Sequence, residues 1–331
     1  MNLWGKRFTS IISEQPHRAM RHLIITLFFK NCKKLIEKIV FFFEFGRNDE
    51  NCHMNFCRKF LILIIKTYNI IFTSFKNRII VLIRKIVLLV FIISAYSFCQ
   101  SGIFDHNSTG DKYFFSLDYD RAIESYKKGL VLNSNDYDLN WKLARVLVNY
   151  GEVPGNERKN YFSEAKKYAE KSIKINSGRS EGYTFAAAAI GNLAYYADNK
   201  EKIIASQHML ALLNKAVEMN HEDHIAYSIL GSIERMFAGI SWLERTLGGV
   251  LYSTSIPKGS YDKAVNYFNK AIAIDGKLIR HHYELALTYL DMKEDKEARK
   301  EFEKTLKCPI QLKADYRRIE LTKEKLNQIG K

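Results

Sequence analysis

The chain has 331 residues, with 51 Lys and Arg against 36 Asp and Glu, 47% hydrophobic residues, four Pro and five Cys. That length supports one to three domains with an ample core, and so few prolines favour long helices over a loop-rich protein. The composition excludes collagen-like, disordered and disulfide-scaffold chains.

The net charge of +15 suggests a nucleic-acid binder until the charge is located. Residues 1–99 carry 16 basic and 5 acidic side chains, whereas residues 100–331 carry 35 and 31. The excess therefore sits in a leader. The remainder is a mixed-charge surface without the concentrated basic footprint that nucleic acid requires, so no nucleic-acid partner is expected.

Residues 1–80 are basic, rich in Phe and Ile, and carry no clear helix caps. They read either as a membrane-associated leader or as lying upstream of a true start at Met54, Val81 or Leu82. Residues 81–99 read as a signal peptide. Arg84-Lys85 precedes 13 uncharged residues, Ile86 to Phe98, which end among small side chains such as Ala95 and Ser97. The alternative is an uncleaved anchor over residues 86–104, a run of 19 uncharged residues. Both place the rest of the chain outside, in the periplasm or on the outer face of the cell envelope, with membrane contact through the leader alone. Four of the five cysteines lie in the leader. Cys308 stands alone in the remainder, which leaves no disulfide framework and no cysteine-based metal site.

From residue 100 onward the clearest signal is internal repetition. DYDRAIESYKKGLVLNS (118–134), YFSEAKKYAEKSIKINS (161–177), SYDKAVNYFNKAIAIDG (260–276) and DKEARKEFEKTLKCPI (295–310) superimpose. Ala122/Tyr126/Gly129, Ala165/Ala169/Ser172, Ala264/Phe268/Ala271 and Ala298/Phe302/Thr305 keep one spacing, and Met209/Leu213/Ala216 is a weaker copy. Offsets of four and three put these residues on one helical face, where small side chains let neighbouring helices approach closely. A partner helix precedes each segment except the first: 139–150, 180–197, 224–238 and 278–292.

A helix-turn-helix unit repeated in this way resembles the tetratricopeptide (TPR) family over residues 105–310. The expected fold is all-α, a TPR-like solenoid of four to five repeats with irregular loops and a concave face. Residues 311–331 read as a charged capping helix and tail. The segment GISWLERTLGGVLYSTSIPKGSYDKAVNYFNKAIAID, followed by HHYELALTYLDMKEDKEARKEFEKTL and Cys308-Pro309, resembles the regulator-of-microtubule-dynamics family and its bacterial TPR relatives. That resemblance implies an adaptor rather than a catalyst.

Motifs that suggest chemistry have simpler readings. Gly178-Arg179-Ser180-Glu181-Gly182 fits the G-x-S-x-G pattern, yet it follows a helix in an inter-repeat turn, where Gly178 stops one helix and Ser180 caps the next. His221-Glu222-Asp223-His224 opens a helix and lacks the H-E-x-x-H spacing. His282 falls at a core aromatic position and His281 is expected to face out. No Walker A loop, G-x-G-x-x-G or C-x-x-C occurs. No enzymatic activity, cofactor or metal is expected.

The insert at 238–258 interrupts the repeat and reads either as a functional cover or as a short helix whose Ile240, Leu243 and Leu247 shield the solenoid edge. The concave lining is expected to be polar, with small residues and scattered cations that suit an extended peptide or acidic segment: Lys142, Val146 and Asn149; Thr184, Ala188 and Asn192; Ser228, Ser232 and Arg235; Tyr283 and Leu287. The expected function is an exported, monomeric TPR scaffold that binds a protein or peptide partner through Lys142, Tyr183, Tyr227, Arg235, Trp242, Arg245 and Tyr283. The alternative is a small-ligand or solute-binding component of an envelope transport system, with the insert closing a pocket over Trp242 and Tyr227.

Overall fold

The computed structural model describes residues 105–252 and 256–329. The leader and signal-peptide readings lie outside the described residues. Twelve helices and no strand occur among those described. A helix at 105–115 (α1) pairs with α2 (Tyr119–Leu132), α3 (Tyr137–Gly151) with α4 (Arg158–Ile175), and α5 (Glu181–Ala194) with α6 (Asn199–Met219). In the fourth unit α7 (His224–Ala238) and its mate α9 (Tyr261–Ile274) are separated in sequence by α8 (Trp242–Tyr252). The last pair is α10 (Ile279–Asp291) with α11 (Asp295–Thr305), followed by α12 (Asp315–Gln328). Five full pairs result. The sequence pattern shows no mate for the first segment; α1 supplies it.

The repeat register dictates the core. Ala122, Tyr126, Ala165, Ala169, Ser172, Leu213, Ala216, Ala264, Phe268, Ala271, Ala298, Phe302 and Thr305 are all fully buried. The small members let the next helix approach. Gly231 of α7 lies so close to Phe268 of α9 that a Cβ there would stand 2.8 Å from the ring. The main cluster runs from Phe114 to Leu312, and two smaller ones centre on Phe268 and Phe302.

The turns repeat too. After α2, α4, α6 and α9 the chain extends at Asn133, Asn176, Asn220 and Asp275. Each of these side-chain oxygens accepts the backbone N–H two residues on, from Asn135, Gly178, Glu222 and Lys277. This is the turn chemistry that short Asn and Asp side chains supply. The side chains of Asp118, Asp136, Asp198, Asp223 and Ser260 cap the helices that follow them.

Two features depart from an open solenoid. Helix α5 is buried along nine consecutive residues, Gly182 to Ile190, so its expected inner face is interior. The chain after α11 also returns to the first repeats: the Lys313 N–H donates to the Tyr119 hydroxyl at 3.1 Å, and Arg318 pairs with Glu152 at 2.6 Å. Residues 311–329 are thus a strap that joins the last repeat to the first, in addition to covering the end of the stack.

Candidate partner-binding surface

The expected concave lining is mostly interior. Val146, Asn149, Thr184, Ala188, Ser228 and Tyr283 are buried. Thr184 donates to Asp223 at 2.6 Å, a contact that joins α5 to the start of α7. Lys142 and Arg235, read as free cations for an acidic partner, are already paired. The Lys142 ammonium meets Asp111 of α1 at 2.5 Å and Asn107 at 2.7 Å. Arg235 pairs with Glu284 at 3.0 Å and reaches Asp291 at 3.8 Å. The aromatic candidates pack inward. Tyr183 donates to the Ser177 carbonyl, Tyr227 stacks on Tyr267 beneath Lys270, and Tyr283 tilts against Phe302. These five residues are spread along four helices and do not converge on one cavity.

The insert behaves differently, and its arrangement is opposite to the expected shield. None of the residues of α8 is buried. Trp242 is 76% exposed, Val250 79% and Leu251 72%, with Leu243 and Leu247 also exposed. At 100° per residue these side chains share one face, while Arg245, Gly248, Gly249 and Tyr252 share the other. The second face is the one that docks. The Arg245 guanidinium donates to the carbonyls of Phe237 at 2.9 Å and Ile240 at 3.0 Å, and to that of Pro257. Gly248 lies against Ile256, and the Tyr252 hydroxyl accepts from Asn199 at 3.1 Å. Behind α8, Gly259 passes so close to the backbone of α7 that a Cβ would stand 2.4 Å from the Glu234 carbonyl.

Helix α8 is therefore mounted by its polar and glycine face and presents its apolar face to solvent. The physical reason is local. Arg245 satisfies carbonyls freed where α7 ends and where the chain re-enters α9, and Gly248 permits close approach to Ile256 on that side. Trp242 and Arg245 thus share one helix but lie on opposite faces, and Trp242 is exposed whereas Tyr227 is buried and stacked on Tyr267.

The histidine candidates are also placed. Ser180 stands at the start of α5, but its hydroxyl makes no cap bond. Asp223 caps α7 through the Ala226 N–H. His281, expected outside, is fully buried: Nδ1 of His224 lies 2.9 Å from its Nε2, and its own Nδ1 has no partner. The reason is that the α10 start is closed over by α7 and by the Arg280–Glu152 pair at 2.7 Å. Burial holds the imidazole of His281 down to about 2, with neighbouring His224 and Arg280 adding to the effect. His282 places both ring nitrogens on acceptors, Glu301 at 2.7 Å and the Gly276 carbonyl at 3.1 Å. Among the described residues no group of three or more His, Cys, Asp or Glu is arranged to hold a metal ion.

Comparison with known proteins places these observations. The family model for regulator of microtubule dynamics protein 1-3 matches residues 108–330. Regulator of microtubule dynamics protein 1 of Bos taurus is 28% identical over 145 residues, 43% of this chain and 45% of its own length. The Caenorhabditis elegans protein of the same name is 25% identical over 203 residues, 61% of this chain and 89% of its own. The chain spans about half the length of the mammalian relatives it matches. Among solved structures, a thermophilic TPR protein of Thermus thermophilus covers 68% of this chain with 99% of its own length, at 18% identity and a TM-score of 0.52. That likeness shows the TPR fold. The curated relatives are animal proteins named for microtubule dynamics, from cells without a periplasm, and they overturn the placement in the periplasm or on the cell envelope.

Proposed function

Because the chain belongs to the regulator-of-microtubule-dynamics family, we propose that it is a non-catalytic protein-interaction scaffold whose docking surface is the outward apolar face of α8. The observation that carries the reading is the mounting of that helix. A folded protein that exposes Trp242, Leu243, Leu247, Val250 and Leu251 on one face, while anchoring the other through Arg245, holds a contiguous apolar patch in place. Such patches mark interaction sites, and Trp is among the residues enriched as interface anchors. Arg235, Lys142, Tyr183, Tyr227 and Tyr283 then belong to the packing and ion pairs of the repeat stack, and Arg245 is the clamp that orients α8.

Charge selects the kind of partner. The one charge that α8 turns to solvent is Glu244, since Arg245 faces the carbonyls. A nearly uncharged surface bearing one carboxylate suits an apolar helical face of a protein with a basic residue at its rim. The same surface lacks the cations that would draw an anionic bilayer. The relatives' name makes tubulin and tubulin-bound proteins the first partners to test.

The test is co-sedimentation with purified microtubules, and with microtubules plus their associated proteins, for the native chain and for Leu247→Glu/Val250→Glu. Binding by the native chain that the variant loses, with the melting temperature unchanged, is expected. Equal binding by both moves the docking surface elsewhere on the stack.

A further inference from the structure

The fourth and fifth repeats meet through two histidines that the α8 surface leaves unused. His224 is the first residue of α7 and His281 the third of α10. Their rings cross edge to face with centroids 5.2 Å apart, and Nδ1 of His224 lies 2.9 Å from Nε2 of His281. His281 is fully buried and its Nδ1 has no partner, whereas His224 is half-buried.

Counting protons fixes how this contact works. Between two neutral imidazoles one nitrogen donates and the other must accept. If His224 donates, His281 carries its own proton on Nδ1, a buried N–H with no acceptor, which is the costly arrangement. The closed contact therefore has the Nε2–H of His281 donating to Nδ1 of His224. A proton added to His224 occupies that acceptor. N–H then faces N–H, or the contact survives only by moving the His281 proton onto the orphaned Nδ1.

The surroundings decide where a proton can go. Asp223, before α7, and Asp275, in the turn between α9 and α10, face His224 and favour its charged form, but burial outweighs both and holds the imidazole below its usual range. Around His281 stand His224 of α7, Arg280 and His282 of α10 and Arg318 of α12, each cationic or able to become so, and with burial they push its imidazole down. These neighbours are themselves engaged. Arg280 and Arg318 both pair with Glu152, and Asp223 holds the Thr184 hydroxyl of α5 and the Ala226 N–H. No side chain caps α10 at Leu278. Leu278 and Ile279 are buried, so parting the two rings unfolds the start of that helix locally.

We propose that the His224–His281 contact is a proton-sensitive joint between the fourth and fifth repeats, closed while both rings are neutral and opened at the start of α10 when His224 takes up a proton. The joint is independent of the α8 surface. Once it opens, both imidazoles return to water and titrate near the free value of about 6.5. Acid therefore favours the open form. Between pH 7.5 and 5.5, each histidine whose closed form refuses the proton raises the open population about tenfold.

The experiment is hydrogen exchange read by mass spectrometry on the full chain at pH 7.5 and 5.5, corrected for the chemical exchange rate, at several urea concentrations below the unfolding transition. Exchange across 279–288 is expected to accelerate at least tenfold at the lower pH, with little dependence on urea because only a small surface opens. His224→Gln/His281→Gln, which cannot titrate there, is expected to hold the acceleration under twofold. Should the double variant not fold, as judged by circular dichroism, His224→Gln alone changes only the half-buried partner and is expected to cut the acceleration at least twofold. Acceleration under twofold in the native chain overturns the proposal. So does acceleration that grows with urea along the full unfolding slope, since the protons are then taken up only by the unfolded stack, and so does acceleration that the variants leave unchanged.

Discussion

A double substitution across the α7–α9 contact tests the repeat register in energetic terms. A Cβ at Gly231 would stand 2.8, 2.9 and 3.0 Å from three atoms of the fully buried Phe268 ring. The ring is enclosed, so the clash cannot be relieved by swinging a free end. Overpacking of this kind costs about 1–3 kcal/mol, while replacing a helix-interior glycine with alanine contributes about 1 kcal/mol of stability. Gly231→Ala alone is therefore expected to change stability by about 0 to 2 kcal/mol in the destabilising direction. Phe268→Leu alone shortens the ring and costs about 1–2 kcal/mol. In the double variant the leucine leaves room for the new methyl group. The overpacking penalty disappears and a coupling energy of about 1–2 kcal/mol appears. Urea unfolding followed by circular dichroism, with the slope checked for constancy across the four proteins, measures it. Additivity within about 0.5 kcal/mol would refute the assignment of Gly231 and Phe268 as facing positions of one repeat.

Other expectations follow from single contacts. His281 is held down to about 2 when folded, against 6.5 when free. The unfolded chain therefore takes up a proton below pH 6.5 that the folded chain does not, and stability falls as pH drops from there. At pH 5 this group costs about 2 kcal/mol, so His281→Gln should lose that much less stability between pH 7.5 and 5. An unchanged loss contradicts the burial of His281. Lys293 is exposed with φ of 61°, a left-handed conformation at the α10–α11 turn. Lys293→Gly should raise stability by about 0.5–1 kcal/mol in the same urea assay, and a decrease contradicts it. Arg245→Ala frees the carbonyls of Phe237, Ile240 and Pro257. It should speed amide exchange across 242–252 while leaving α3–α6 unaffected; uniform acceleration would place Arg245 in the global core.

The pattern of the second helix in each repeat was legible because it has few ways to arise. Ala264, Phe268 and Ala271 at offsets of four and three, repeated with Ala298, Phe302 and Thr305, specify one buried face, and every one of these residues is buried. The turns were legible one residue away from where they form. The first three repeat segments end at residues 134, 177 and 276, whereas Asn133, Asn176 and Asp275 make the turn-closing bonds. The outward apolar face of α8 was not legible in the same way. Helical periodicity reveals that α8 has an apolar side, but not that the other side is the one that docks. That inversion depends on Arg245 meeting carbonyls at both ends of the insert, 237–240 and 257, a convergence visible only after folding. The pairing of Lys142 with Asp111 and of Glu152 with Arg318 spans 31 and 166 residues, beyond any local pattern. His281 was misplaced for the same reason, since its cover comes from α7, 57 residues away.

The central claim, that the outward face of α8 carries the protein's partner, is tested most directly by a photo-crosslinking residue placed at Leu247 in cells that make the protein, with a second placed at Lys142 as the inner-face comparison. Crosslinks from position 247 to one defined protein, competed by an excess of the native chain and lacking at position 142, are the predicted result. Crosslinks from 142 with none from 247 would contradict the account and return the partner to the inner face of the stack.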